Sequence, residues 1–231
     1  MSGFLVFIFR LKDVMNKVQV MLNKEITILI HGFNKKQSDM SYLEAGLKAA
    51  GFAVFSVNLP TTFGSLEQCR NAFSEQVKEI VDEYEVVNYV AHSMGGLITR
   101  AYIDSVQQNN VGKCVFIATP HKGSRLAAIA AGIPLYARIF RPVSDLLPNL
   151  QYRSFTANNS FKIAVIAGSS NDSIIGRLFL PDDSDGRVEI ASVKSNDMDE
   201  FIVLPYNHHN IHKNSETLAA VKNFLARGRF N

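Results

Sequence analysis

The chain is poor in cysteine, in clustered positive charge and in long apolar runs. Its 231 residues include two cysteines, Cys69 and Cys114, which excludes a disulfide-built scaffold and favours a reducing compartment, although a bridge between the two stays open. The net charge is +3 and no cluster of lysine or arginine stands out, which argues against a nucleic-acid partner. With 47% hydrophobic and 19% charged residues, we expect one domain over residues 1–231 with a large core.

The most apolar segment, residues 4–9, is short and is followed closely by Arg10 and Lys12. A membrane-spanning helix needs about 20 apolar residues. A secretory signal needs a basic start, a longer apolar core and a small-residue cleavage site. We therefore expect a cytoplasmic protein in which residues 4–9 form the first strand of a sheet. An interfacial anchor, with weak contact to a membrane surface, and the remnant of a truncated leader are the alternatives.

Strand patterns and helix patterns alternate along the rest of the chain. Strands are predicted at residues 25–30, 53–58, 88–91, 113–118, 162–167 and 201–204. Helices are predicted between them, and two begin with capping-box patterns at Ser41 and Ser65. This alternation predicts a mainly parallel sheet with helices on both faces.

Residues 125–149 break the alternation, because glycine and three prolines interrupt an apolar and basic segment. We predict a short lid there. Six of its apolar side chains are candidates for an acyl pocket: Leu126, Ile129, Ile133, Leu135, Ile139 and Phe140. Ordinary packing on the sheet is the alternative for each of them. The cations Lys122, Arg125, Arg138 and Arg141 are interpreted as a solvated rim near the site.

The most informative motif is the run Tyr-Val-Ala-His-Ser-Met-Gly-Gly at residues 89–96. A strand pattern ends at Ser93 and a helix pattern begins directly after it. Ala91 and Gly95, two positions before and after the serine, are small enough for a tight turn between strand and helix. The motif resembles a nucleophile elbow, G-x-S-x-G, with alanine in the first glycine position.

Two other predicted strands end in related motifs. Residues 31–34, His-Gly-Phe-Asn, resemble the oxyanion loop of lipases and esterases, and residues 119–124, Thr-Pro-His-Lys-Gly-Ser, are similar to a motif of bacterial lipases. The three motifs in this order resemble the lipase/esterase branch of the α/β-hydrolase superfamily, from about residue 25 to the C-terminus. The resemblance implies an α/β-hydrolase fold and a serine nucleophile at Ser93. It also implies that the backbone N–H groups of Phe33 and Met94 are the oxyanion donors.

The resemblance further implies the chain order serine, acid, histidine. Residues 185–188, Asp-Gly-Arg-Val, resemble the acid signature and lead to Asp185; the segment before Ile211 leads to His208. Asp172, which follows a predicted strand, is the alternative acid, and His209 is the alternative base.

These residues imply a serine hydrolase that cleaves small-molecule or lipid carboxylic esters through an acyl-enzyme, without a cofactor. A thioesterase or acyltransferase with the same residues is the first alternative, and a non-catalytic binding protein of the same fold is the second. His209 and His212 have a spacing that suits metal binding on a helix, but no third ligand is in place, so no metal site is predicted.

Overall fold

The computed structural model describes residues 25–147 and 161–231, so the strand predicted at residues 4–9 lies outside the described part. Six strands form one parallel sheet in the order β2-β1-β3-β4-β5-β6. They are β1 Glu25–Ile30, β2 Val54–Ser56, β3 Val86–His92, β4 Val111–Ile117, β5 Lys162–Gly168 and β6 Glu200–Leu204. Each strand predicted after residue 24 is present, with ends shifted by at most two residues.

Helices cover both faces of this sheet, as predicted. They are α1 Ser41–Ala49, α2 Leu66–Glu83, α3 Met94–Val106, α4 Arg125–Ala131, α5 Pro134–Ile139, α6 Ile174–Phe179, α7 Ile190–Val193 and α8 Ser215–Arg227. Successive side chains of a strand point to opposite faces. Tyr89 accordingly joins the core beneath α2 and α3, while Val90 joins the core beneath α1 and α8.

Only one of the two predicted capping boxes forms. The Ser65 hydroxyl accepts a hydrogen bond from the Gln68 backbone N–H at 3.2 Å, and the Gln68 side chain accepts from the Ser65 N–H at 2.9 Å. The prediction at Ser41 is wrong. A 3₁₀ turn, Gln37–Met40, runs directly into α1, so the extended N-cap backbone that the motif needs is absent. Glu44 binds Lys48 and Ser56 instead.

The segment predicted as a lid folds into α4, α5 and a 3₁₀ turn, Arg141–Leu146, as far as residue 147. Asp145 in this turn accepts a hydrogen bond from the Leu66 backbone N–H at 2.7 Å, which ties the segment to the start of α2. The ring of Phe140 lies 6.2 Å from Phe33 and 5.8 Å from Phe63 between centroids. Aromatic contacts thus hold the segment over the loop that follows β1.

Both cysteines are buried and free. No helix within residues 25–147 and 161–231 has the length and apolar character that crossing a membrane requires.

Candidate active site

Ser93 lies between β3 and α3 in a strained backbone conformation. Its φ is 54° and its ψ is −127°, a region that non-glycine residues rarely adopt and that is found mainly at functional sites. The turn brings α3 so close to β1 that a Cβ on Gly95 would lie 2.7 Å from the carbonyl oxygens of Ile30 and His31. The small residue required at this position is therefore explained by backbone contact.

Three predicted site residues meet at the carboxyl ends of the strands. The Ser93 hydroxyl donates to His208 Nε2 at 3.0 Å, and His208 Nδ1 donates to Asp185 Oδ2 at 2.7 Å. Each of the three residues is at most 9% exposed. The second oxygen of Asp185 accepts from the backbone N–H groups of Arg187 at 3.0 Å and Val188 at 2.7 Å. Hydrogen bonds therefore fix the carboxylate, and through it the imidazole.

The alternative acid and base lie outside this chain of hydrogen bonds. Asp172 is exposed, and its carboxylate accepts from the Asn207 side chain at 2.7 Å. His209 is exposed, with its ring centroid 6.3 Å from that of His208. The geometry favours Asp185 and His208 over both neighbours.

The two predicted oxyanion donors flank Ser93. Met94 is the first residue of α3, where backbone N–H groups have no partner within the helix. In the described part of the chain, neither the Met94 nor the Phe33 N–H donates to another protein group. Both remain available to a substrate oxygen.

His31 braces the loop that carries Phe33. Burial lowers the pKa of His31, so the ring is neutral and its Nε2 accepts from the Leu59 N–H at 2.9 Å. The hydroxyl of Thr61 donates to the Gly32 carbonyl at 2.9 Å. The loop after β1 is thereby fastened to the segment after β2, which fixes the direction of its N–H groups.

A buried cluster supports His208 from behind. His92 Nε2 donates to the His208 carbonyl oxygen at 3.1 Å, and the His92 ring stacks on His212 at 3.9 Å between centroids. His212 in turn donates to Asp39 at 3.0 Å, and Lys213 also binds Asp39. Burial opposes ionisation of Asp39, yet the bonds from His212 and Lys213 hold its pKa well below the ordinary value. Burial lowers the pKa of His92 and of His212, so both rings are neutral.

Asp39, His92 and His212 are close enough together to be considered as metal ligands. The two imidazole planes lie at 25° to each other in a stack, so their in-plane lone pairs run side by side and do not converge on one ion. Lys213 and Lys35 also place positive charge beside Asp39. The donor set fits a hydrogen-bonded cluster better than a metal centre.

A cavity of about 350 Å³ opens over Ser93 and has an apolar part. Leu126, Ala127, Ala130, Leu146 and Val188 line that part. The predicted acyl pocket is therefore only partly correct: Leu126 lines the cavity, but Ile129, Ile133, Leu135 and Ile139 are exposed. Phe140 packs on Phe33 and Phe63 instead.

The sequence analysis missed two cations that line the same cavity, Lys35 and Arg187. Lys35 directly follows the motif at residues 31–34, and Arg187 lies within the motif at residues 185–188, so both motifs offered a signal. The four cations predicted as a rim, Lys122, Arg125, Arg138 and Arg141, are exposed and are not among the residues that line this cavity in the described part of the chain.

Solved structures with similar folds are lipases and esterases, among others. The mature form of the lipase BlEst2 from Bacillus licheniformis has a TM-score of 0.71 at 17% identity, covering 87% of this chain and 90% of that one. The metagenomic carboxyl esterase MGS0156 has a TM-score of 0.66 at 15% identity, covering 80% and 65%. The ydeN gene product of B. subtilis has a TM-score of 0.62 at 15% identity, covering 88% and 100%. These similarities establish the α/β-hydrolase fold.

The sequence comparisons agree with the fold. Triacylglycerol lipase 2 of Saccharomyces cerevisiae is 30% identical over 119 residues, which are 48% of this chain and 36% of the relative. The matched part thus spans about a third of that lipase's length. A family model described as palmitoyl protein thioesterase matches residues 27–166, more than half of the chain, and includes Phe33 and Ser93. The chain is an α/β-hydrolase of the lipase/esterase type, and it belongs to the palmitoyl protein thioesterase family.

Proposed function

We propose that this protein hydrolyses carboxylic esters of acyl chains, with Ser93 as nucleophile, His208 as base and Asp185 as the acid of a triad. One observation carries the proposal: the continuous pair of hydrogen bonds, 3.0 Å from Ser93 to His208 and 2.7 Å from His208 to Asp185, beneath an open cavity. A serine hydroxyl alone is a poor nucleophile at neutral pH and needs an adjacent base.

In this reaction His208 Nε2 takes the proton of Ser93 as Oγ attacks the carbonyl carbon. Negative charge moves to the carbonyl oxygen, where the N–H groups of Phe33 and Met94 receive it. His208 then protonates the leaving oxygen, the C–O bond breaks and an acyl-enzyme remains. Water attacks that ester with His208 again as base, and Asp185 stabilises the imidazolium in both halves.

Thioester hydrolysis is the second candidate, favoured by the description of the matching family. Ser93, His208 and Asp185 would play the same roles in this reaction, and the leaving atom would be sulfur in place of oxygen. A thiol has a pKa of about 8.5, so its anion leaves more easily than an alkoxide and depends less on protonation by His208. Oxygen and sulfur esters of one acyl chain, compared in kcat/KM, measure which bond the site favours.

The first experiment compares wild type with Ser93→Ala on p-nitrophenyl esters from acetate to palmitate. We expect turnover by wild type and a loss of about 10⁶-fold in kcat for the variant, as is typical when a triad serine is removed. Ser105→Ala is the matched control, since Ser105 lies in the last turns of α3 and bonds to the Tyr102 carbonyl. Normal turnover by Ser93→Ala, or a fluorophosphonate that fails to label Ser93 in wild type, would contradict the proposal.

A further inference from the structure

The cavity over Ser93 continues into a surface groove of different chemistry. Asn34 and Lys35 line both concavities. Beyond them the groove is lined by Lys36, Ser38, Asp39, Ser41 and Lys213, a set without an apolar side chain. We call this depression, together with Arg187 of the adjoining cavity, the cationic groove.

Positive charge exceeds negative charge along the cationic groove. Its cations are Lys35, Lys36, Lys213 and Arg187, and Asp39 is the single carboxylate among its lining residues. Asp39 is already engaged by Lys213 and, at 4.0 Å, by Lys35. In the described part of the chain, Lys36 and Arg187 have no carboxylate partner. Lys36, which is exposed in the groove, and Arg187, which is half-buried in the cavity over Ser93, are therefore uncompensated.

The cationic groove lies on the side of the site where a leaving group departs. His208 must deliver a proton to the leaving atom, so that part of the substrate lies beside His208. Arg187 follows Asp185, which holds His208, by two positions. Lys35 and Arg187 line the same cavity as His208 and His209. Burial, His208, Lys35, Arg187 and Lys213 lower the pKa of His209, so these cations act on the ring next to His208. The acyl chain is left with the apolar part of the cavity.

We propose that the cationic groove binds a leaving group that carries phosphate, so that the preferred substrate is an acyl ester or thioester of a phosphorylated alcohol or thiol. This inference rests on the proposed function for the bond that is cleaved. A phosphate monoester carries a charge of about −1.5 to −2 at neutral pH and accepts several hydrogen bonds. Arg187 supplies a planar pair of donors and Lys36 a mobile point charge. A neutral leaving group would leave both cations unpaired.

The test uses substrate pairs that differ by one phosphate. S-palmitoyl-4′-phosphopantetheine is compared with S-palmitoyl-pantetheine, and 1-palmitoyl-glycerol 3-phosphate with 1-palmitoyl-glycerol, all in the same detergent. The readout is the ratio of kcat/KM within each pair. We expect the phosphorylated member to be favoured about tenfold at low salt, and the preference to shrink as ionic strength rises. A preference in the thioester pair alone identifies a phosphorylated thiol as the source, and one in the glycerol pair alone identifies a phospholipid.

Charge-removing variants assign the effect to the groove. Lys36→Gln and Arg187→Gln each lower the ratio about three- to tenfold, since each removes one ion pair with phosphate. Lys113→Gln is the matched control. It removes the same charge near the amino end of β4, whereas the site lies at the carboxyl ends of the strands, and it should keep the wild-type ratio. Equal kcat/KM within both pairs for wild type would overturn the inference.

A binding measurement separates this inference from the proposed function. Calorimetry on Ser93→Ala compares 4′-phosphopantetheine with pantetheine, and no turnover is needed. Tighter binding of the phosphorylated compound, weakened by Lys36→Gln, supports the groove even if every ester assay fails. Equal affinity for both compounds, together with equal kcat/KM in the glycerol pair, overturns the inference even if ester hydrolysis succeeds.

Discussion

Two aspartates are candidates for the triad acid, and their surroundings separate them. Asp185 is 1% exposed and is bound by His208 and by two backbone N–H groups, whereas Asp172 is exposed and contacts Asn207. We expect Asp185→Asn to lower kcat by about 10⁴-fold, because an amide cannot hold the imidazole in the required tautomer.

Asp172→Asn is the matched substitution and should change kcat on p-nitrophenyl butyrate less than about threefold, since its contact is a surface hydrogen bond. Circular dichroism of both variants checks that the fold is retained. A larger loss for Asp172→Asn than for Asp185→Asn would move the acid to the end of β5.

A motif and chain order together lead to three residues that the structure brings within hydrogen-bond distance, and their catalytic roles stay predictions. Ser93 follows from its small neighbours, and Asp185 and His208 follow from the order of the resembling family. The spacing of His209 and His212 suits metal binding on one helix, but His209 is exposed and His212 is fully buried. His212 instead meets Asp39, 173 residues away, and no local pattern encodes such a contact.

The two capping-box patterns give a direct comparison between helices. In α2 the Ser65 box is complete, whereas in α1 the Ser41 hydroxyl caps nothing because a 3₁₀ turn precedes it. Ser65→Ala should lower the free energy of unfolding by about 1 kcal/mol, the usual cost of losing an N-cap. Ser41→Ala should change it by less than about 0.5 kcal/mol, as exposed substitutions usually do. Urea unfolding of both variants measures the difference; equal losses would show that the boxes do not differ.

Strand centres are predictable from composition, but strand ends depend on neighbours. The sequence predicts the start of β4 at Lys113. In the structure β4 begins at Val111, which pairs with Val87 of β3. A Cβ on Gly112 would lie 2.4 Å from Val86 Cγ1, so the glycine permits close approach of the two strands. The reason for a glycine within β4 is therefore its contact with β3, which the sequence of β4 alone does not show.

Several histidines are buried throughout the molecule as neutral rings, which sets how the fold responds to acid. Burial lowers the pKa of His121 to about 3, with its Nδ1 donating to the Val193 carbonyl at 2.6 Å. Burial also lowers the pKa of His31, His92 and His212. An unfolded chain has histidines with a pKa of about 6.5, so below that pH it binds more protons than the folded chain.

The free energy of unfolding should therefore be greatest above about pH 6.5 and fall as the pH drops from there toward the lowered folded-state values. Well inside that interval, each of these four histidines contributes a slope of up to about 1.4 kcal/mol per pH unit. For His121 the interval extends down to about pH 3.

His121→Asn retains a donor for the Val193 carbonyl and removes the titrating group. Urea unfolding at about pH 7 and about pH 5 should show that this variant loses about 2 kcal/mol less of its free energy of unfolding than wild type over that range. Parallel curves for the variant and wild type would show that His121 is protonated, or accessible to protons, in the folded state.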